Sequence, residues 1–180
     1  MRTLKFRGKR SHDNEWIYGS LLQIGNNCHI LNETDCEEDG HHIRQVSDMP
    51  TWVNPDTIGQ FTGLRDKNDK EIYEGDIVEF YNLNSYCINP DCEPHLLGYG
   101  TRLVKESARV IFGNGMFGVY DGDFGGIKSL DCCGLANYDK EELEQMVNDE
   151  LHFDTNGYNI DNLDSIIGIE VMGNTVDTTK

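Results

Sequence analysis

The chain has 180 residues, with 15 Lys and Arg against 32 Asp and Glu, and its formal charge is −17. That length suits one domain with a real core, and a charge of this size repels phosphate backbones and anionic membrane surfaces, which disfavours conventional nucleic-acid and lipid-surface binding. A hydrophobic share of 37 % leaves room for long polar loops.

The charge is uneven. Residues 1 to 10 hold Arg2, Lys5, Arg7, Lys9 and Arg10 with no acid, whereas residues 121 to 170 hold thirteen acids against Lys128 and Lys140. A basic protein partner is the expectation that follows. The opening residues lack the apolar core of a secretory signal and no run is long enough to span a membrane, so a cytoplasmic location is expected.

Lys5–Arg7 reads as a short strand and Trp16–Ile24 as a longer one, with the polar turn Gly8–Asn14 between them. Cys28–Leu31 is placed to pair back across Gly25, Asn26 and Asn27. Residues 32–48 are acidic and aperiodic and read as a long loop or insertion. Met49–Pro55 returns to extended structure, because the residue before each proline is pushed out of the helical region. Trp52, between Pro50 and Pro55, is the aromatic residue least expected to be fully buried.

Residues 57–78 form a dense block. Ile58–Leu64 reads as a strand, Arg65–Lys70 as a turn, Glu71–Tyr73 as the returning strand, and Glu74, Gly75 and Asp76 redirect the chain into Ile77–Phe80. Gly59, Gly63 and Gly75 are assigned to backbone demands at turns or bulges. Residues 81–105 contain Asn-Pro, Glu-Pro and Gly-Tyr-Gly and read as a second long loop or insertion. Ala108–Phe112 and Met116–Tyr120 then flank Gly113, Asn114 and Gly115, the strongest hairpin signal in the chain. Ile127–Leu130 adds a short strand. Asp139 is placed to cap a helix over Lys140–His152, with Glu142 and Tyr138 supporting the cap and Leu143, Met146, Val147 and Leu151 on its apolar face. Ser165–Met172 is the last strand, ended by Gly173 and Asn174.

Six cysteines without a secretion signal are expected to be reduced thiols. Cys87, Cys92 and His95 lie within nine residues and are candidate zinc ligands, with Cys36, Cys132, Cys133 or His41 as a fourth. Only one such pair exists, so free cysteines in a turn-rich segment are the favoured reading. No Gly-x-Gly-x-x-Gly precedes a helix, no Walker-type Gly-Lys-Ser/Thr and no Gly-x-Ser-x-Gly elbow occurs, and no lysine follows an acid at the two-residue spacing of a metal-dependent nuclease. A calcium loop centred on Gly157 would begin at His152 and end at Leu163, which removes its essential oxygen ligands. No cofactor is expected.

These marks together resemble the YopX family, small proteins carried by bacteriophages, prophages and related mobile elements. The resemblance rests on Lys5–Arg7, Trp16–Gly19, Val110–Phe112, Glu170–Asn174 and above all residues 57–78. Its motif positions here are Gly59, Gln60, Phe61, Thr62, Gly63, Leu64, Asp66, Ile72, Tyr73, Glu74, Gly75 and Asp76. The family usually shows glycine where this chain has Asp69. The resemblance implies a mainly β fold with one short helix, antiparallel sheets including a small SH3-like barrel, one domain over residues 1–180, and no established catalytic activity. The leading expectation is a non-enzymatic accessory protein acting in the host cell through protein contacts, with possible homo-oligomers. One alternative is an acidic mimic of nucleic acid that inhibits a host DNA- or RNA-binding protein, and another is a metal-dependent hydrolase using the Cys/His segment.

Overall fold

The computed structural model describes residues 4–32, 36–38, 43–45, 51–87, 99–121, 126–135, 138–148, 153–158 and 163–178. The fold is mainly β with antiparallel sheets and a short helix, and the chain divides into two compact units. The first comprises Met1–Arg65, Glu71–Gly75 and Asn174–Lys180, and the second Asp66–Lys70 and Asp76–Gly173.

In the first unit, β1 is Phe6–Lys9, β2 Trp16–Ile24, β3 Asn27–Leu31, β4 Cys36–Glu38, β5 Ile43–Gln45, β6 Trp52–Val53, β7 Gly59–Arg65 and β8 Glu71–Tyr73. Six of them form one sheet in the order β6-β3-β2-β1-β7-β8, and β4 pairs with β5 within the segment read as a loop. The β2–β3 turn is tight: Ile24 faces Asn27, and Gly25 takes φ +61°. Past the end of β1, Arg10 bridges to Val53 of β6 and the Asn54 N–H donates to the Lys9 carbonyl, which curls the sheet back on itself. This curl is compatible with a small barrel; a closed barrel is not shown. Cys28, Ile30 and Val53 form the buried core, with Phe6, Ile17, Leu21 and Ile58 packed against them. Trp52 stays 44 % exposed, its ring edge-on to His29.

In the second unit, β9 is Asp76–Cys87, β10 Tyr99–Gly113, β11 Met116–Asp121, β12 Gly126–Ser129, α1 Lys140–Asn148, β13 Phe153–Asp154 and β14 Ile169–Asn174, whose last residue falls to the first unit. The sheet order is β12-β11-β10-β9-β14, with β13 pairing to β10 in parallel. Tyr81–Cys87 and Tyr99–Lys105, read from sequence as loop, are strand: β9 and β10 pair without interruption from Ile77 opposite Arg109 to Cys87 opposite Tyr99. The cause is the partner strand. Cross-strand bonds satisfy the peptide groups whatever the Asn, Ser and Gly content, while Leu103, opposite Leu83, is buried on one face and Val78 and Phe80 are buried on the other. Asn82, also buried on that face, accepts a hydrogen bond from Lys128 Nζ at 3.0 Å. Residues 88–98, with both prolines of that segment, lie outside the described residues.

The β10–β11 hairpin stands where the sequence places it, with Gly113 opposite Met116 and φ of +51° and +79° at Asn114 and Gly115. Helix α1 begins as expected, Asp139 Oδ1 accepting the Glu141 N–H at 2.7 Å and Leu143 fully buried. It is described to Asn148, and residues 149–152 lie outside the described residues. Leu143 joins Leu103, Leu135, Phe153 and Ile166 in the core. The last strand starts four residues later than the sequence suggests. Leu163–Ser165 is a turn of 3-10 helix, Gly168 at φ +93° reverses the chain, and β14 follows. A four-residue helix, α2 at Thr175–Thr178, was not anticipated.

Candidate ligand cleft on the motif strands

The motif residues divide into those that build backbone geometry and those that shape a surface. Gly59 pairs with Arg7, and a side chain there would strike the Glu74 carbonyl, so only glycine allows that close approach. Gln60 faces Phe6, and its carbonyl accepts the Glu74 N–H at 2.9 Å. Thr62 is buried and donates its hydroxyl to the Ile72 carbonyl at 2.9 Å while accepting the Leu64 N–H at 3.2 Å. Pairing slips between Phe61 opposite Tyr73 and Arg65 opposite Glu71, and Gly63 takes φ +91° within this bulge. Leu64 is left exposed.

Asp66 organises the turn, within the second unit. Its Oδ1 accepts the N–H groups of Asn68 at 2.8 Å and Lys70 at 2.9 Å, and its Oδ2 accepts the Val171 N–H at 3.0 Å. Burial opposes its charge, but these three backbone donors and the nearby Lys70 outweigh burial and hold the carboxyl below its ordinary value. Asp69 adopts φ +64°, the left-handed conformation that glycine supplies most easily. Ile72 and Asp76 are buried. Gly75, at φ +85°, turns the chain at the end of β8, and its carbonyl accepts the Thr175 N–H at 3.1 Å.

Tyr73 is the structural pivot of the first unit. It is 1 % exposed, and the rings of Tyr18 and Phe61 lie against it with centroids at 5.6 and 5.5 Å. The Arg7 guanidinium stacks over Tyr73 at 4.7 Å and over Trp16 at 4.8 Å. Its hydroxyl donates to Glu71 Oε2 at 2.6 Å. Burial, then that carboxylate, pushes the phenol well above its ordinary value, so Tyr73 remains protonated.

Beside this stack lies a cleft of about 520 Å³, lined by Leu4, Lys5, Tyr18, Gly19, Ser20, Asn32, Phe61, Arg65 and Glu71. Lys5 Nζ donates to both oxygens of Glu71, at 3.0 and 2.7 Å, and Arg65 Nη2 donates to Oε1 at 3.1 Å. Burial alone would raise the Glu71 pKa; hydrogen bonds from Lys5 and Tyr73 and the charges of Lys5 and Arg65 reverse it, leaving the carboxyl below its ordinary value. Phe61 and Tyr73 are motif positions that the structure brings to this place. Lys5, Tyr18, Arg65 and Glu71 were not singled out as site residues from sequence. The available signal was the basic run at the start of the chain.

Cys92, His95 and His41 lie outside the described residues, and Cys87 is described only as backbone at the end of β9. Among the described residues no group of three or more His, Cys, Asp or Glu is placed to hold a metal. Cys28 is a core residue, Cys132 is exposed, and burial pushes the Cys133 thiol up to about 11. No helix of the described residues is long and apolar enough to cross a membrane.

Comparison with curated proteins gives no match. Among solved structures, the crystal structure of protein EF1440 from Enterococcus faecalis is similar at 19 % identity with a TM-score of 0.41, over 96 % of this chain and 92 % of that one. Residues 5–175 match the family model described as YopX protein. The match covers the motif strands, the cleft residues other than Leu4 and nearly all of the remaining chain, and the protein belongs to the YopX family.

Proposed function

We propose that this chain is a non-enzymatic accessory protein of a phage or prophage that acts in the host cell through protein contacts. The observation that carries this reading is the apolar exposure on the β10–β11 hairpin, where Phe112, Met116 and Tyr120 are 55 %, 41 % and 65 % exposed. Val110, Phe112, Phe117 and Val119 share one face of the hairpin by register, and Met116 and Tyr120 share the other, so its far end offers apolar anchors on both sides. Aromatic side chains of this kind supply much of the energy of protein interfaces. The same unit holds twenty Asp and Glu against seven Lys and Arg, which favours a basic partner.

The test is capture from host lysate with wild-type protein and a Phe112→Ser/Tyr120→Ser variant, together with light scattering. A defined partner or self-associated species that disappears in the variant supports the reading. Identical capture and identical mass in both proteins overturns it.

The concentration of acid in the second unit also favours a second reading, a carboxylate surface that occupies the basic cleft of a host DNA- or RNA-binding protein. In that case capture falls steeply with salt and is lost when the acids of residues 139–164 are neutralised. Capture unchanged by that neutralisation removes mimicry.

A further inference from the structure

Three neighbouring strands of the first unit, β6, β3 and β2, carry no charged residue. Asp, Glu, Lys and Arg make up 26 % of the chain, yet none of them occurs in Trp16–Ile24, Asn27–Leu31 or Trp52–Val53. The three strands lie side by side in the sheet, so their side chains make one continuous uncharged strip.

Register gives that strip an apolar row. Leu22 stands opposite His29, and His29 opposite Trp52, so the three side chains run across the sheet on one face. The residues that alternate with them, Leu21, Cys28, Ile30 and Val53, pack into the core, which turns the row outward. Leu22 and Trp52 are 41 % and 44 % exposed, and Ile24, two residues beyond Leu22 on the same face, is 61 % exposed. The Trp52 ring rests edge-on against His29 with centroids 5.3 Å apart, so the aromatic end of the row is held in place.

We propose that this face docks a second copy of the chain about a two-fold axis, Leu22 of one protomer lying against Trp52 of the other with His29 between them. Charge decides the occupant. Each copy carries −17, so two copies repel at long range and meet most readily through strands that add no like-charge contact of their own. A basic partner gains nothing from strands without a carboxylate. The row is also self-complementary, because a two-fold rotation about the line of β3 at His29 exchanges its aliphatic and aromatic ends. Three strands about 4.8 Å apart make a narrow surface, at the low end for specific complexes, so the dimer is weak and concentration-dependent. This inference is independent of the protein-contact reading, which concerns residues of the other unit.

The test is sedimentation of the full chain across a concentration series at low and high salt. A monomer–dimer equilibrium with a micromolar Kd is the expected result, and it should tighten as salt screens the repulsion between copies, the opposite of what salt does to capture of a basic partner. Trp52→Ser and Leu22→Glu should each weaken the dimer about tenfold or more. Ile24→Glu sits at the most exposed of these positions, should fold normally and should weaken it as well. Circular dichroism identifies which variants are folded. The Phe112→Ser/Tyr120→Ser protein should dimerise as the wild type does, so loss of hairpin-dependent capture and loss of this dimer are separate outcomes. A chain that stays monomeric at every concentration at high salt overturns the proposal, as does a dimer that folded Leu22→Glu and Ile24→Glu proteins form unchanged. A dimer lost only in Phe112→Ser/Tyr120→Ser also overturns it, since the contact would then belong to the hairpin.

Discussion

Asp66 and Val171 are joined by a 3.0 Å hydrogen bond across 105 residues of sequence, the aspartate Oδ2 accepting the valine N–H within the second unit. The same carboxylate closes its own turn through Asn68 and Lys70. One side chain therefore couples the shape of a local turn to the docking of the last strand. Asp66→Ala leaves three backbone donors without this acceptor and should cost about 2–4 kcal/mol, measured by urea unfolding. Asp66→Asn, which keeps one acceptor oxygen, should cost less.

The pH dependence has a definite sign. Asp66 and Glu71 both have carboxyls held below their ordinary values of 3.8 and 4.5. A carboxyl with a folded pKa below its unfolded one stabilises the protein fully above the unfolded value, and that stabilisation is lost as pH falls through the folded value. Thermal stability should therefore be flat for these groups near neutrality and fall below about pH 4.5. The fall should be shallower in Asp66→Asn and in Glu71→Gln, and a wild-type-like acid profile in both variants would contradict this assignment.

Backbone conformation at the motif turns predicts which substitutions the family pattern tolerates. Gly75 has φ +85°, and a Cβ there would sit 3.3 Å from the Asn174 amide nitrogen, so Gly75→Ala should cost about 1–2 kcal/mol. Asp69, at φ +64°, should accept glycine with a change within about 0.5 kcal/mol, whereas Asp69→Val should cost about 1–2 kcal/mol. Chemical denaturation of the three variants checks the ranking.

Leu143 is fully buried among Leu103, Leu135, Phe153 and Ile166. Leu143→Ala removes buried surface and leaves a cavity, at a cost of about 2–5 kcal/mol. Asp139→Ala, which removes only the N-cap of α1, should cost less, and the order of the two midpoints is the measurement.

Cys132 and Cys133 are adjacent in sequence but not in reactivity. Cys132 is exposed, whereas Cys133 is buried, its Sγ donates to the Ser129 carbonyl at 3.4 Å, and its pKa is pushed up to about 11. Thiolate is the reactive form. Brief alkylation of the folded protein near pH 8, read by peptide mass spectrometry, should mark Cys132 and leave Cys133 unmodified, and equal labelling would show that the second thiol is accessible.

The sequence by itself determined what local chemistry determines. Asn114 and Gly115 accept positive φ at little cost, so the hairpin they connect was legible. Asp139 and the apolar spacing of Leu143, Met146 and Val147 located the start of α1, and residues 57–78 were enough to recognise the family. The long pairing of β9 with β10 was not legible, because the stability of Tyr81–Cys87 comes from the opposing strand and not from its own composition. Tertiary structure alone decided the start of β14, through Gly168, and the bond from Val171 to Asp66. It alone also assembled the cleft. Lys5 and Glu71 are 66 residues apart, and neither residue type predicts the other. They meet because Phe6 pairs with Gln60 and Phe61 with Tyr73, so strand register places charges that no local pattern links.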